Sequence, residues 1–216
     1  TKLATNPHHR SHDTMRGLYV ITDPTLLGEI GLINGVQAAL AGGARMVQYR
    51  HKLADAATRL QEAQAILALC QAHHVPLIIN DDVELAAHIG AAGVHLGEDD
   101  GDIAVARAQL GSQAIIGASC YNNLSRAMRY AKLADYIALG AFYPSPTKPH
   151  ARRAEVALLA QLKAATRTPI VCIGGITADN AAPLVAAGAD MLAVVSGVWA
   201  QPDITAAAQQ LSALFE

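Results

Sequence analysis

Cysteine is scarce in this chain. The three that occur, Cys70, Cys120 and Cys172, are scattered, odd in number and without a CxxC pair. That excludes a disulfide framework or a cysteine zinc site and reads them as small buried residues of a protein kept in a reducing cytosol. Charge of one sign is missing too. Sixteen Lys and Arg against eighteen Asp and Glu leave a formal net charge of −2, with no basic block, which gives no footprint for nucleic acid or a membrane surface. No apolar run approaches the roughly 18 residues of a membrane span, and the first residues lack the apolar core of a signal peptide. The expectation is a cytoplasmic protein that acts on small molecules, without a membrane or nucleic-acid partner. The sequence admits a homo-oligomer as well as a monomer.

What is present is apolar and periodic. Of 216 residues 52% are hydrophobic and 16% charged, enough for one well-cored soluble domain. Residues 1–15, TKLATNPHHRSHDTM, show no apolar period. His8, His9 and His12 are metal-ligating types, but a terminus without supporting neighbours is expected to be a disordered tail, leaving 16–216 as the folded domain. From Gly17 on, apolar β-branched runs alternate with Ala/Leu-rich helical stretches. The runs begin near residues 18, 46, 77, 93, 114, 136, 169 and 191, a spacing of one short strand plus one helix. The first helix is expected to end at Ala41, and another to run from about Asp55 to His73. Glycines in AGGARMV (41–47), AAGVHL (91–96) and AGAD (187–190) read as helix C-caps that turn the chain back. Eight such units, with strands apolar on both faces, predict a (β/α)₈ TIM barrel. The rival, an open doubly wound sheet, is disfavoured because no GxGxxG follows the first strand.

In a barrel, chemistry belongs at the carboxyl ends of the strands. The third predicted strand ends in Asn80-Asp81-Asp82 and the fourth in Glu98-Asp99-Asp100. Adjacent parallel strands bring these acids to one edge, so one carboxylate from each can share a Mg²⁺ ion, directly or through water. The competing reading is that Asp81 or Asp82, and Asp99, Asp100 or Asp102, cap the following helices. The second strand runs into Gln48-Tyr49-Arg50-His51-Lys52, where a period of two sends Gln48, Arg50 and Lys52 to one side as an anion receptor. The fifth ends at Ser119. The sixth enters GAFYPSPTK, a proline-stiffened loop offering Ser145, Thr147 and Lys148 to a phosphate at little ordering cost. The last two strands end in Gly174-Gly175 and Ser196-Gly197, where barrels bind phosphate through backbone N–H groups, with a helix expected from about Ala178. A diphosphate site with Mg²⁺ and a separate monophosphate site imply two phosphorylated substrates in one pocket. His51 and His95 read as structural.

Taken together, GLYVITD (17–23), QYRHK (48–52), IIND (78–81), GVHLGEDD (93–100), IIGAS (115–119), GAFYPSPTK (140–148), IGGIT (173–177) and VVSG (194–197) resemble the thiamine-phosphate synthase family in order and nearly throughout. The resemblance implies a barrel enzyme, a transferase of a pyrimidinylmethyl group. It joins hydroxymethylpyrimidine diphosphate to thiazole phosphate, plain or carboxylated, releasing pyrophosphate with Mg²⁺. It implies that Gln48, Arg50, Lys52, Asn80, Ser119 and Lys148 contact the pyrimidine diphosphate. Asp81 and Asp100 would hold Mg²⁺, and Ser145, Thr147, the Gly175 backbone and Val195-Ser196 would hold the thiazole phosphate. Catalysis would rest chiefly on Arg50, Lys52, Ser119 and Lys148. Ser145 replaces a usual Thr, Ala141 a common Pro and Glu98 a frequent Gln, which leaves open whether Glu98 or Asp99 also meets the ion. A sister family isomerises thiazole phosphate with a histidine just after the fifth strand. Here that segment reads Ser119-Cys120-Tyr121, which favours the synthase. A non-catalytic barrel that senses a phosphorylated ligand is the third alternative.

Overall fold

A computed structural model describes residues 15–146 and 148–216; the three histidines of the tail and Thr147 lie outside the described residues. The chain runs β1 (Gly17–Ile21), α1 (Pro24–Leu27), α2 (Leu32–Ala41), β2 (Met46–Tyr49), α3 (Ala56–Ala72), β3 (Leu77–Asn80), α4 (Val83–Ile89), β4 (Gly93–Leu96), α5 (Ile103–Leu110), β5 (Ile115–Tyr121), α6 (Leu124–Tyr130), β6 (Tyr136–Leu139), α7 (Val156–Ala165), β7 (Ile170–Ile173), α8 (Ala182–Ala186), β8 (Met191–Val194), α9 (Ser196–Trp199) and α10 (Ile204–Ser212). All eight strands pair in parallel with their sequence neighbours, and β1 also pairs with β8, closing the barrel. The expected (β/α)₈ barrel is therefore present, with each strand starting within a residue or so of its expected position.

Strands this short close a barrel because their two faces bury different cores. Outward residues such as Leu18, Val20, Val47, Leu77, Ile79, Val94 and Leu192 pack under the helices. Inward ones, among them Tyr19, Met46, Ile78, Ile115, Tyr136, Val171 and Met191, fill the lumen. Met15, the last residue of the stretch read as a tail, is buried with that inner set. Alternation with period two thus produces two apolar surfaces from one strand, and the strand reads as apolar throughout.

At the amino end of the barrel two acids repeat one device. Asp135, just before β6, accepts from the backbone N–H of Ile116 on β5 at 2.8 Å and from Arg107 of α5 at 2.6 Å. Asp190, just before β8, accepts from the N–H of Ile170 on β7 at 2.8 Å and from Lys163 of α7 at 2.9 Å. Each satisfies a strand-end donor and pins a helix, a stabilising use of charge at the face that carries no chemistry.

The glycines divide by role. Gly90 is the left-handed C-cap of α4 at φ +71°, whereas Gly93, grouped with the helix caps from sequence, instead begins β4. Its lack of a side chain matters for another reason: a Cβ there would strike the backbone of Ile115 on β5, which cannot move without breaking the pairing. Gly93→Ala is expected to destabilise the protein by about 3 kcal/mol, the upper part of the overpacking range. Thermal unfolding would then occur about 6–12 °C lower; an unchanged midpoint would show that the strands yield.

Candidate functional site

The acids at the carboxyl end sort themselves by their partners. Asp82 caps α4 by accepting from the N–H of Leu85 at 2.9 Å, and Asp102 caps α5 through Ala104 at 2.6 Å. Capping therefore falls to these two and leaves Asp81 and Asp100 for other work. Asp81 has a left-handed backbone, φ +54°, a conformation that Asp tolerates and that recurs at functional sites. Its N–H bonds to the carbonyl of His95 on β4 at 2.9 Å, so the ends of β3 and β4 are tied together. Its Oδ2 accepts from Lys52 at 2.8 Å and from Asn80 at 2.9 Å. Asp100 folds back to accept from the N–H of Gly97 at 2.6 Å. Both acids thus stand at the same mouth of the barrel, past the ends of adjacent strands. Glu98 is held by Arg152, whose guanidinium reaches both of its carboxylate oxygens at 3.0 Å and lies 4.2 Å from the centre of the Tyr121 ring.

A cavity of about 470 Å³ opens at this mouth, and Gln48, Arg50, Asn80, Ser119, Ser145, Lys148, Gly175, Val195 and Ser196 all line it. A smaller cleft of about 210 Å³ adjoins it, sharing Arg50 and Asn80 and adding Lys52, Asp81 and Arg59. The period-two reading of β2 holds in part: Gln48 and Arg50 face the cavity, and Tyr49 and His51 turn to the Glu62 carboxylate of α3 at 2.5 and 2.8 Å, but β2 ends at Tyr49 and Lys52, expected beside Gln48 and Arg50, instead lines the adjoining cleft. Cations gather here, and Lys148 shows the effect. Partial desolvation, with Arg50 and Lys52 close by, draws its pKa below the ordinary lysine value.

The loops after β6 and β7 are stitched together. Phe142 and Tyr143 donate their N–H groups to the carbonyls of Ile173 and Gly174, and the Tyr143 hydroxyl donates to the Asn180 carbonyl at 2.7 Å. Gly175, at φ +62°, lies so close beneath Tyr143 and Pro144 that any Cβ would collide with their carbonyls. That places Ser145 beside Gly175, and Gly197, which a Cβ would jam against the Ile176 carbonyl, brings the end of β8 alongside. One sequence expectation is corrected: no helix begins near Ala178. Residues 178–180 form a turn in which Asn180 accepts from the Thr177 N–H at 2.8 Å and donates to the Gly175 carbonyl at 2.9 Å, and α8 starts at Ala182. An amide side chain, in place of a helix dipole, shapes the glycine loop.

Along the floor of the cavity Gln48 and Ser119, both expected to contact substrate, are joined through His95, expected to be structural, and through Tyr19 and Tyr136, which no motif marks. Gln48 Nε2 donates to the Tyr19 hydroxyl at 2.8 Å, Tyr19 meets the Tyr136 hydroxyl at 2.8 Å, Tyr136 meets His95 Nδ1 at 2.8 Å and His95 Nε2 meets Ser119 Oγ at 2.7 Å. His95 is stacked on Tyr136, with ring centres 5.6 Å apart. Burial pushes the His95 pKa down to about 4, against a smaller opposing pull from Asp100, so the ring is neutral near pH 7. Period-two alternation in β4 would have turned His95 inward with Gly93 opposite Val94; nothing in the sequence names its partners.

Comparison with known proteins agrees with this geometry. The family model described as thiamine monophosphate synthase matches residues 18–198. The chain is 50% identical over 205 residues to a thiamine-phosphate synthase of Thioalkalivibrio sulfidiphilus, covering 94% of this chain and 97% of that one. It is 52% identical over 202 residues to one of Methylobacillus flagellatus, covering 93% and 96%. Among solved structures, a thiamine phosphate pyrophosphorylase from Pyrococcus furiosus superposes with a TM-score of 0.85 at 31% identity, covering 95% of this chain and 98% of that one. A 3-hexulose-6-phosphate synthase, at 17% identity and a TM-score of 0.64, shares the fold alone.

Proposed function

The chain belongs to the thiamine monophosphate synthase family, whose members are transferases, and from that premise we propose how its rim couples hydroxymethylpyrimidine diphosphate to thiazole phosphate. The observation that carries the reading is the convergence of Gln48, Arg50, Asn80, Ser119 and Lys148 on one cavity, next to the cleft that Asp81 lines. The diphosphate lies among Arg50, Lys52 and Lys148. The thiazole phosphate lies against Ser145, the Gly175 backbone and Val195-Ser196, all of which line the cavity.

The donor set fits Mg²⁺. Among the described residues no cluster of three or more acid, His or Cys side chains forms a closed cage, and Mg²⁺ characteristically takes only one or two protein carboxylates and fills its remaining positions with water and substrate phosphate. Asp81 and Asp100 would hold it. When bound, the ion supplies positive charge to the departing diphosphate.

The chemistry asked of the protein is mostly electrostatic. The C–O bond between the pyrimidine methylene and the diphosphate breaks, both electrons leaving with the oxygen, and the electron-rich ring carries the resulting cation. Arg50, Lys52 and Lys148 neutralise the leaving group, and the walls hold the thiazole nitrogen in line to donate its lone pair to the methylene carbon. That nitrogen bears no proton to remove, so no general base is required.

The full chain incubated with both phosphorylated heterocycles and Mg²⁺ is expected to release thiamine phosphate and pyrophosphate in equal amounts. Chelation of the metal should slow release on the order of 100-fold, the scale of losing one charge-stabilising group. Ligand binding without pyrophosphate release would overturn the reading in favour of a sensor.

A further inference from the structure

The five side chains beneath the cavity form a single hydrogen-bonded path across the barrel, from Gln48 on β2 through Tyr19 on β1, Tyr136 on β6 and His95 on β4 to Ser119 on β5. Its polarity follows from its first member. An amide nitrogen can only donate, so the Tyr19 oxygen accepts from Gln48 and spends its own proton on Tyr136. The Tyr136 proton then goes to His95 Nδ1. A neutral ring protonated on one nitrogen must then carry that proton on Nε2 and give it to Ser119 Oγ. Ser119, having accepted, has its own hydroxyl proton left for the cavity.

We propose that this relay makes His95 and Tyr136 positioning residues for coupling, by fixing Ser119 as a hydrogen-bond donor to the departing diphosphate. The direction matters because the cavity holds two kinds of acceptor. A donor placed on a ring nitrogen would withdraw electrons from the forming cation and slow ionisation. A donor on the diphosphate gains strength as negative charge accumulates there, which is the condition for raising kcat. Without Tyr136, nothing holds the proton on His95 Nε2; the ring can turn acceptor toward Ser119 and draw the hydroxyl proton away from the substrate. The sequence separations involved, 117 residues between Tyr19 and Tyr136 and 24 between His95 and Ser119, show a feature assembled by barrel closure alone.

The relay matters to turnover only if the cavity holds the pyrimidine diphosphate, and wild-type coupling tests that premise separately. The test of the relay is a double-mutant cycle with Ser119→Ala and Tyr136→Phe, read as kcat and KM with thermal unfolding in parallel. Tyr136→Phe keeps the ring stacked on His95 and removes only the hydroxyl. It is expected to lower kcat about 10- to 50-fold and to change KM by less than about threefold, the pattern of a contact made in the transition state. In the Ser119→Ala background the same change should cost less than about twofold, because its route to the substrate is already gone. Full additivity, or unchanged kcat in Tyr136→Phe, overturns the proposal, since a merely structural role would depress both backgrounds alike. Should Tyr136→Phe fail to fold, His95→Leu replaces it in the cycle with the same two outcomes.

Discussion

Asp81→Asn is expected to slow coupling by about 10²- to 10³-fold, the scale of removing one preorganised electrostatic group, while thermal unfolding stays close to wild type. Asn is the informative substitution because the backbone at this residue is left-handed, φ +54°. Asn tolerates that conformation nearly as well as Asp, whereas Ala pays about 1–2 kcal/mol for it. The amide also keeps an oxygen for Lys52 and Asn80 and discards only the charge. Stability changes little because the partner, Lys52, is 53% exposed and a surface pair of this kind contributes only about 0–1 kcal/mol. Asp81→Ala should lose activity to the same degree with a somewhat lower unfolding temperature. A partial return of activity at raised Mg²⁺ would identify weakened metal binding as the cause. Near-normal turnover in Asp81→Asn would mean that this acid merely orders the loop after β3.

The strands were legible because they are short apolar runs recurring at the spacing of one strand plus one helix, as in LIIN (77–80) and IVCI (170–173), and because a parallel strand buried on both faces reads as apolar nearly throughout. The same alternation placed Gln48 and Arg50 inward and Tyr49 and His51 outward, as found. What the pattern cannot state is which inward residues meet. Tyr19, Tyr136 and His95 each read as an ordinary lumen or core position, and their union depends on the closure of β1 on β8 and on the stagger of the strands. The turn at Thr177–Asn180 went unseen for a local reason. Asn180 satisfies the Thr177 N–H and the Gly175 carbonyl itself, delaying the helix expected near Ala178 to Ala182. Glu98 was ambiguous because its partner, Arg152, lies 54 residues away on the loop after β6.

Lys148 carries the second large effect. Lys148→Ala is expected to lower kcat about 100-fold or more, again the scale of one charge that is stabilising at the leaving group, and to leave the fold intact because the residue is exposed on a loop at the cavity mouth. Its titration gives a sharper test. Partial desolvation and the neighbouring Arg50 and Lys52 lower its pKa, so the free enzyme loses this charge at a lower pH than an ordinary lysine would, and kcat/KM falls as pH rises through that value. A bound diphosphate favours the protonated amine and raises the pKa, so the alkaline limb of kcat should lie at higher pH than that of kcat/KM. Arg stays charged throughout the accessible range. Lys148→Arg should therefore retain part of the activity while its kcat/KM loses the alkaline limb seen in the wild type. If the limb stays where it was, the titrating group is another residue and Lys148 does not neutralise the diphosphate.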